Sequence, residues 1–287
     1  MISELEELVG FLDLERIDED IFRGQPHDPG WGQLFGGHVF AQALRAAQGT
    51  VAPERLVHSV HGYFLLLGDI SLPLVYQVFR TRDGGTFSTR SVVARQRGRT
   101  IFQLSASFQV EEGGFVHQDE MPQAPPPDSL PTEEEALTPF ASSLPKGLRE
   151  RLLAPRAFEL RPVQPTSDPL APAIRPPVRD VWIRGRGKLR DDPSIHAALV
   201  AYVSDYFFLG TAMQPHGVTW LDRRMQVASL DHSIWFHDRA RADEWLLHSM
   251  ESPRAAHGRG LVRGQIFSAD GRLVASTAQE GLIRRRS

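Results

Sequence analysis

One order of elements is written twice in this chain, and few architectures can hold such a duplication. A helical run over 38–47 opens at Gly36-Gly37, and strand-like stretches follow at 58–67, 74–83, 87–96 and 100–110. A second helical run, over 193–209, is followed by stretches at 227–236, 244–252, 258–268 and 272–283. Polar and apolar residues alternate along these stretches, which predicts half-buried strands. Small motifs recur at matching places. His61-Gly62-Tyr63-Phe64 answers His232-Ser233-Ile234-Trp235-Phe236, and the turn at Gly98-Arg99 answers the one at Asp270-Gly271-Arg272. A helix backed by one antiparallel sheet leaves sheet edges open, whereas two such units side by side extend the sheet and hide them. The expected class is α+β, built as two repeats of a long helix and an antiparallel sheet.

Between the repeats the composition changes. Prolines crowd residues 121–177 (Pro125 to Pro127, Pro162, Pro165, Pro169, Pro172, Pro176 and Pro177), and residues 132–153 read as one or two short helices. Proline removes backbone donors and denies the preceding residue the α region. This stretch is therefore expected to join elements rather than build a sheet, and to pack on the surface. The division read from the sequence is a first repeat over 1–120, a proline-rich linker over 121–177 and a second repeat over 178–287.

The second helical run carries an acid where amphipathic logic forbids one. Asp192 is placed to cap it and Pro193 takes its first position. Counted at helical spacing from Asp205, the neighbours are Ala198, Ala201, Tyr202, Phe208 and Leu209. An unpaired carboxylate on that face costs several kcal/mol, on the order of the desolvation penalty for a buried charge. Either a partner satisfies it or it is kept for chemistry, since desolvation raises its pKa and makes it a useful base.

Composition narrows the field. The 287 residues carry a net charge of −3, which gives no electrostatic reason to expect nucleic acid or an anionic membrane as partner. With no cysteine, disulfides, thiolate catalysis and cysteine metal sites are excluded together. No run of about 18 apolar residues is present, so no bilayer span is expected. The first residues are acidic where an export signal would be basic, and the expected setting is cytoplasmic.

Several motifs in fixed order make the reading sharper. Phe22-Arg23-Gly24-Gln25, Leu34-Phe35-Gly36-Gly37, Ser204-Asp205, Gln214-Pro215-His216-Gly217, Ser229-Leu230-Asp231-His232-Ser233-Ile234-Trp235-Phe236-His237 and Ala275-Ser276-Thr277-Ala278-Gln279-Glu280-Gly281 resemble signatures of the acyl-CoA thioesterase II family. The resemblance runs from about residue 5 to the end and is weakest in the linker. It implies a double hotdog fold, in which each helix is wrapped by a curved antiparallel sheet. It also implies hydrolysis of fatty acyl-CoA to fatty acid and coenzyme A. By that resemblance the catalytic residues are Asp205, Ser229 and Gln279, with Ser229 standing where many members have Thr. No cofactor or metal is implied, and the expected partners are the acyl-CoA substrate and further copies of the chain, as a homodimer or dimer of dimers.

The residue types suit that chemistry. A carboxylate within hydrogen-bond reach can take a proton from attacking water, and a hydroxyl and an amide can aim the water's lone pair. The oxyanion would be met by backbone N–H groups or by the Gln279 amide; the sequence leaves both open. Ser229 as an acylated nucleophile competes, with His232 as its nearest base. Residues three apart on a regular strand point to opposite faces, and no Gly-x-Ser-x-Gly elbow is present, so attack by water is preferred.

Other features carry less. His58 and His61 share the same unfavourable spacing for a metal. Arg184, Arg186, Lys188 and Arg190 either meet the phosphates of coenzyme A or form a solvated loop. Phe64, Phe207, Phe208, Met213 and Trp235 are candidate walls of an acyl tunnel or plain core. The first repeat is expected to do no chemistry: residues 36–48 contain no acid, His38 lines the cleft at most, and Gln279 falls opposite Ala106 when the turn glycines are aligned. Two rivals remain. A hydratase or dehydratase of this fold needs an Asp and a His close together, and His196 lies two and a half helical turns from Asp205. An acyl-binding protein would keep the cleft without turnover.

Overall fold

The computed structural model describes residues 3–28, 30 and 32–286. Its first half runs α1 (Glu4–Phe11), β1 (Glu15–Asp18), β2 (Ile21–Gly24), α2 (Gly36–Gln48), β3 (Arg55–Phe64), β4 (Leu74–Asp83), β5 (Phe87–Gln96) and β6 (Arg99–Val110). Two short helices follow, α3 (Glu133–Leu137) and α4 (Lys146–Leu152). The second half runs β7 (Phe158–Pro162), β8 (Val178–Gly185), α5 (Pro193–Val203), α6 (Phe208–Met213), β9 (Met225–Ser229), β10 (Asp231–Phe236), β11 (Leu246–Ala256), β12 (Arg259–Ser268) and β13 (Leu273–Arg285).

All the strands join one antiparallel sheet in the order β1-β2-β4-β5-β6-β3-β10-β13-β12-β11-β8-β7, with β9 also pairing β13. Read outward from the central β3–β10 junction, the halves repeat each other: β3, β6, β5, β4, β2, β1 on one side and β10, β13, β12, β11, β8, β7 on the other. The register at the junction is His61↔Ser233, so the two histidine motifs of the sequence lie side by side. One edge, β1, is short, exposed and bears Glu15, Arg16 and Asp18, while the strand at the other edge ends in Pro162. Such edges resist pairing with another sheet.

The helices explain the curvature. In α2 every residue from Gly37 to Leu44 is buried, and in α5 nearly all of them are. A helix buried on all sides needs cover on all sides. α2 and α5 pack against each other while the sheet encloses them. Phe40, fully buried between sheet and helices, contributes about 2–3 kcal/mol by its burial. The stretch Pro193–His216 has the length and composition of a bilayer span, but 72% of its most apolar window is buried in the protein. It is the central element of the core.

Two further expectations need correction. The linker does contribute to the sheet: β7 lies within 121–177 and pairs with β8, Leu160 opposite Ile183. Pro162 is tolerated there because an edge strand needs no outward donor. The remainder packs on the surface, with Trp182 donating its indole N–H to the Pro125 carbonyl at 2.9 Å. The second helical run is not one helix either. It stops at Val203 and resumes at Phe208, and Phe207 between them has φ 65°. A bulky residue in the left-handed region is strained and persists only where its surroundings hold it. Arg179 supplies part of that hold, stacking on the Phe207 ring at 5.2 Å and bonding Gln214.

Candidate active site

Asp205 lies in this helix break and not on a helix face. It is buried all the same, for a different reason. Its turn is pressed against the start of α2, where Gly37 N–H donates to Oδ2 at 2.9 Å. Phe35 caps α2 without a side-chain hydrogen bond, so the carboxylate meets unsatisfied donors and the positive end of a helix dipole. Gly36 leaves room for the carboxylate, since a Cβ there would stand 2.8 Å from Asp205 Oδ2 and displace it. The rings of Phe35, Tyr202 and Tyr206 form an edge-to-face group beside it. Asp205 is half-buried as a residue, and protein crowds its carboxylate. Burial pushes its pKa up to about 7; Gln279, the Gly37 N–H and Ser229 pull the other way.

Ser229 ends β9 and Gln279 lies in β13, and the Gln279 amide donates to Ser229 Oγ at 2.7 Å. Its other end faces His232 Nδ1 at 2.7 Å, and His232 Nε2 lies 2.8 Å from Ser204 Oγ. Ser229 and His232 were expected on opposite faces. They reach the same amide because the strand carries a bulge. Ser229 pairs with Gly281 and Ser233 with Ala278, so four residue steps on one strand match three on the other. An extra residue flips the alternation downstream of it. The structure thus brings together all three expected residues and adds Gly37, His232 and Ser204.

Family models match two parts of the chain: one described as acyl-CoA thioesterase N-terminal domain over residues 26–109, and one described as acyl-CoA thioesterase over 164–282. A Haemophilus influenzae protein named acyl-CoA thioesterase 2 is 44% identical over 284 residues, spanning 99% of each chain. The chain belongs to the acyl-CoA thioesterase II family. Human acyl-coenzyme A thioesterase 8 is 42% identical over 282 residues, covering 95% of this chain and 87% of the human one. The crystal structure of an acyl-CoA thioesterase II from Mycobacterium marinum superposes with a TM-score of 0.78 at 43% identity, covering 98% and 99% of the two chains. A hot dog protein from Alicyclobacillus acidocaldarius, at 20% identity and TM-score 0.75, shares the fold.

Other residues singled out in this family member fall elsewhere. Trp235 is 38% exposed and meets His61 edge-to-face on the sheet's outer side, so it walls no tunnel. Phe208 is core. Phe64 packs on Phe102 and borders Gly36, at the site's edge. Met213 lines a separate surface cavity of about 390 Å³ with Met225 and Ile283. Arg184 and Arg186 pair with Glu159 and Glu134, while Arg190 stays largely exposed, 3.4 Å from Asp192. His38 is fully buried against Phe11 and Tyr202, with Nε2 at 3.0 Å from the Gln25 carbonyl. Gln109 donates to Glu112 on the surface. His196 accepts from Ala242 N–H.

The raised pKa of Asp205 sets a pH dependence. A base works only when deprotonated, so kcat/KM should climb with pH through about 7 and level off above it. A profile already flat down to pH 5 would remove Asp205 as the base.

Proposed function

We propose that the chain hydrolyses fatty acyl-CoA thioesters by direct attack of a water molecule on the thioester carbonyl, with Asp205 accepting the water's proton. The products are a carboxylic acid and free coenzyme A. One observation carries the reading: a carboxylate held near neutral pKa at a helix N-terminus, beside a hydroxyl and an amide that already bond each other. In this role Ser229 and Gln279 orient the water, Gln279 giving one amide hydrogen to Ser229 and turning the other toward Asp205.

One feature favours water over an acylated Ser229. His232, the nearest imidazole, turns Nδ1 to Gln279 and not to Ser229, whose partners are the Gln279 amide and the Asp205 carboxylate. A dehydratase reading finds no support at His196, which is engaged by backbone on another side. Release of free thiol from a simple acyl-CoA separates the hydrolase from a dehydratase and from a binding protein. For the mechanism, Ser229→Ala should remain measurably active, with turnover reduced on the order of tenfold, the scale of one lost charge-assisted or positioning hydrogen bond. Quenched wild-type reactions should show the unmodified mass. An acyl adduct mapping to Ser229 would favour the nucleophilic route.

A further inference from the structure

A glutamine amide has a donor end and an acceptor end of nearly the same shape, and catalysis needs one orientation of Gln279. We propose that His232 is a positioning residue that locks the Gln279 amide with its NH2 end toward Ser229, Asp205 and the attacking water. The proposal rests on the water mechanism above.

The hydrogen-bond chain admits two arrangements. His232 is fully buried, and burial pushes its pKa down to about 4, so the ring is neutral with one donor and one acceptor. In the first arrangement Ser204 donates to Nε2, Nδ1–H donates to Gln279 Oε1, and Gln279 Nε2 donates to Ser229. In the second every bond is reversed: Ser204 donates to the Ala201 carbonyl at 3.0 Å, Nε2–H donates to Ser204, and Gln279 turns its oxygen to Ser229. Asp205 decides between them. Gln279 favours the charged form of Asp205, which only its NH2 end can do; the reversed amide would aim an oxygen at a carboxylate. With the first arrangement chosen, the Nδ1–H tautomer holds it in place. The rings of Phe40 and Phe208 clamp the imidazole edge-on, at 4.9 and 5.5 Å between centroids, and keep it from turning.

The first half supplies a comparison within the same molecule. There, at the corresponding place in the sheet, Val60 pairs with Ala106, both buried. An apolar pair therefore satisfies the fold at this position. The polar pair occurs in the half that holds Asp205, where it costs desolvation and gains an oriented amide.

The test combines substitution with a direct reading of the tautomer. His232→Phe should lower kcat on the order of tenfold or more while KM stays within about twofold. His232→Asn, whose side-chain amide can replace Nδ1–H, should recover part of that loss. In a Gln279→Met background His232→Phe should cost nothing further, because its effect passes through the amide. In the wild-type protein, nitrogen NMR of labelled histidine should show His232 protonated at Nδ1. The Nε2–H tautomer overturns the proposal even if the variants do not fold. So does a His232→Phe enzyme with more than half of wild-type kcat, or one that loses the same factor in both backgrounds. A Gln279→Met enzyme with full turnover would instead overturn the catalytic reading beneath it.

Discussion

Asp205→Asn is expected to lower kcat by on the order of a hundredfold or more, with KM nearly unchanged, the usual scale for loss of a general base. The amide matches the carboxylate in shape and can still accept from Gly37 N–H. What it cannot do is take a proton from water. The same substitution should stabilise the fold. A carboxyl whose pKa is higher folded than unfolded binds its proton more tightly in the native state. Its ionisation therefore penalises folding: the penalty is absent below the ordinary value near 3.8, grows between there and about 7, and is complete above. Asn carries no charge to desolvate. Melting curves at pH 8 should place Asp205→Asn above wild type, and the gap should close toward pH 4. Thiol release above a tenth of the wild-type rate would remove Asp205 from the mechanism. An inactive variant that also melts lower would show that the carboxylate serves structure and not chemistry.

Asp205 was legible because it breaks a local rule, whereas Ser229 and Gln279, ordinary residues for a strand, were reached only through the family resemblance. An acid among Tyr202, Phe207 and Phe208 stands out in any helical count, but Gly36 and Gly37 read only as the start of a helix, and their place at the site comes from the contact with Asp205. Strands β4 and β5 match their sequence stretches end to end, since ten alternating residues give a clear period of two. β1 and β7 were missed because four or five residues, charged or proline-terminated, carry too little period to read. The break at Phe207 was missed for another reason. Nothing in Tyr206-Phe207-Phe208 disfavours a helix, and the left-handed turn is held by tertiary contacts such as Arg179. The bulge that aligns Ser229 with His232 belongs to the pairing with β13 and has no local sign. Local patterns gave the elements, while contacts between distant segments set the geometry of the chemistry.

The close approach of the two helices supplies the other large expected effect. A Cβ on Gly37 would overlap the Tyr202 carbonyl oxygen and the Phe35 ring. One of those is backbone and cannot swing aside. Alanine is otherwise the better helix former, by about 1 kcal/mol. Overpacking in a rigid contact costs about 1–3 kcal/mol or more. The steric cost should win here, because relief requires α2 to move away from α5. That movement also withdraws Gly37 N–H from Asp205, so stability and turnover fall together. Gly37→Ala is expected to lose about 2 kcal/mol or more in urea unfolding and over tenfold in kcat. Gly10→Ala in α1 is the matched control. Outside its own turn of helix nothing lies within 4 Å of the added methyl there, so helix propensity acts alone and the variant should be neutral or slightly more stable. If Gly37→Ala instead melted at or above wild type with full turnover, α2 and α5 would not meet through this glycine, and the first repeat would not supply the N–H donor that holds Asp205.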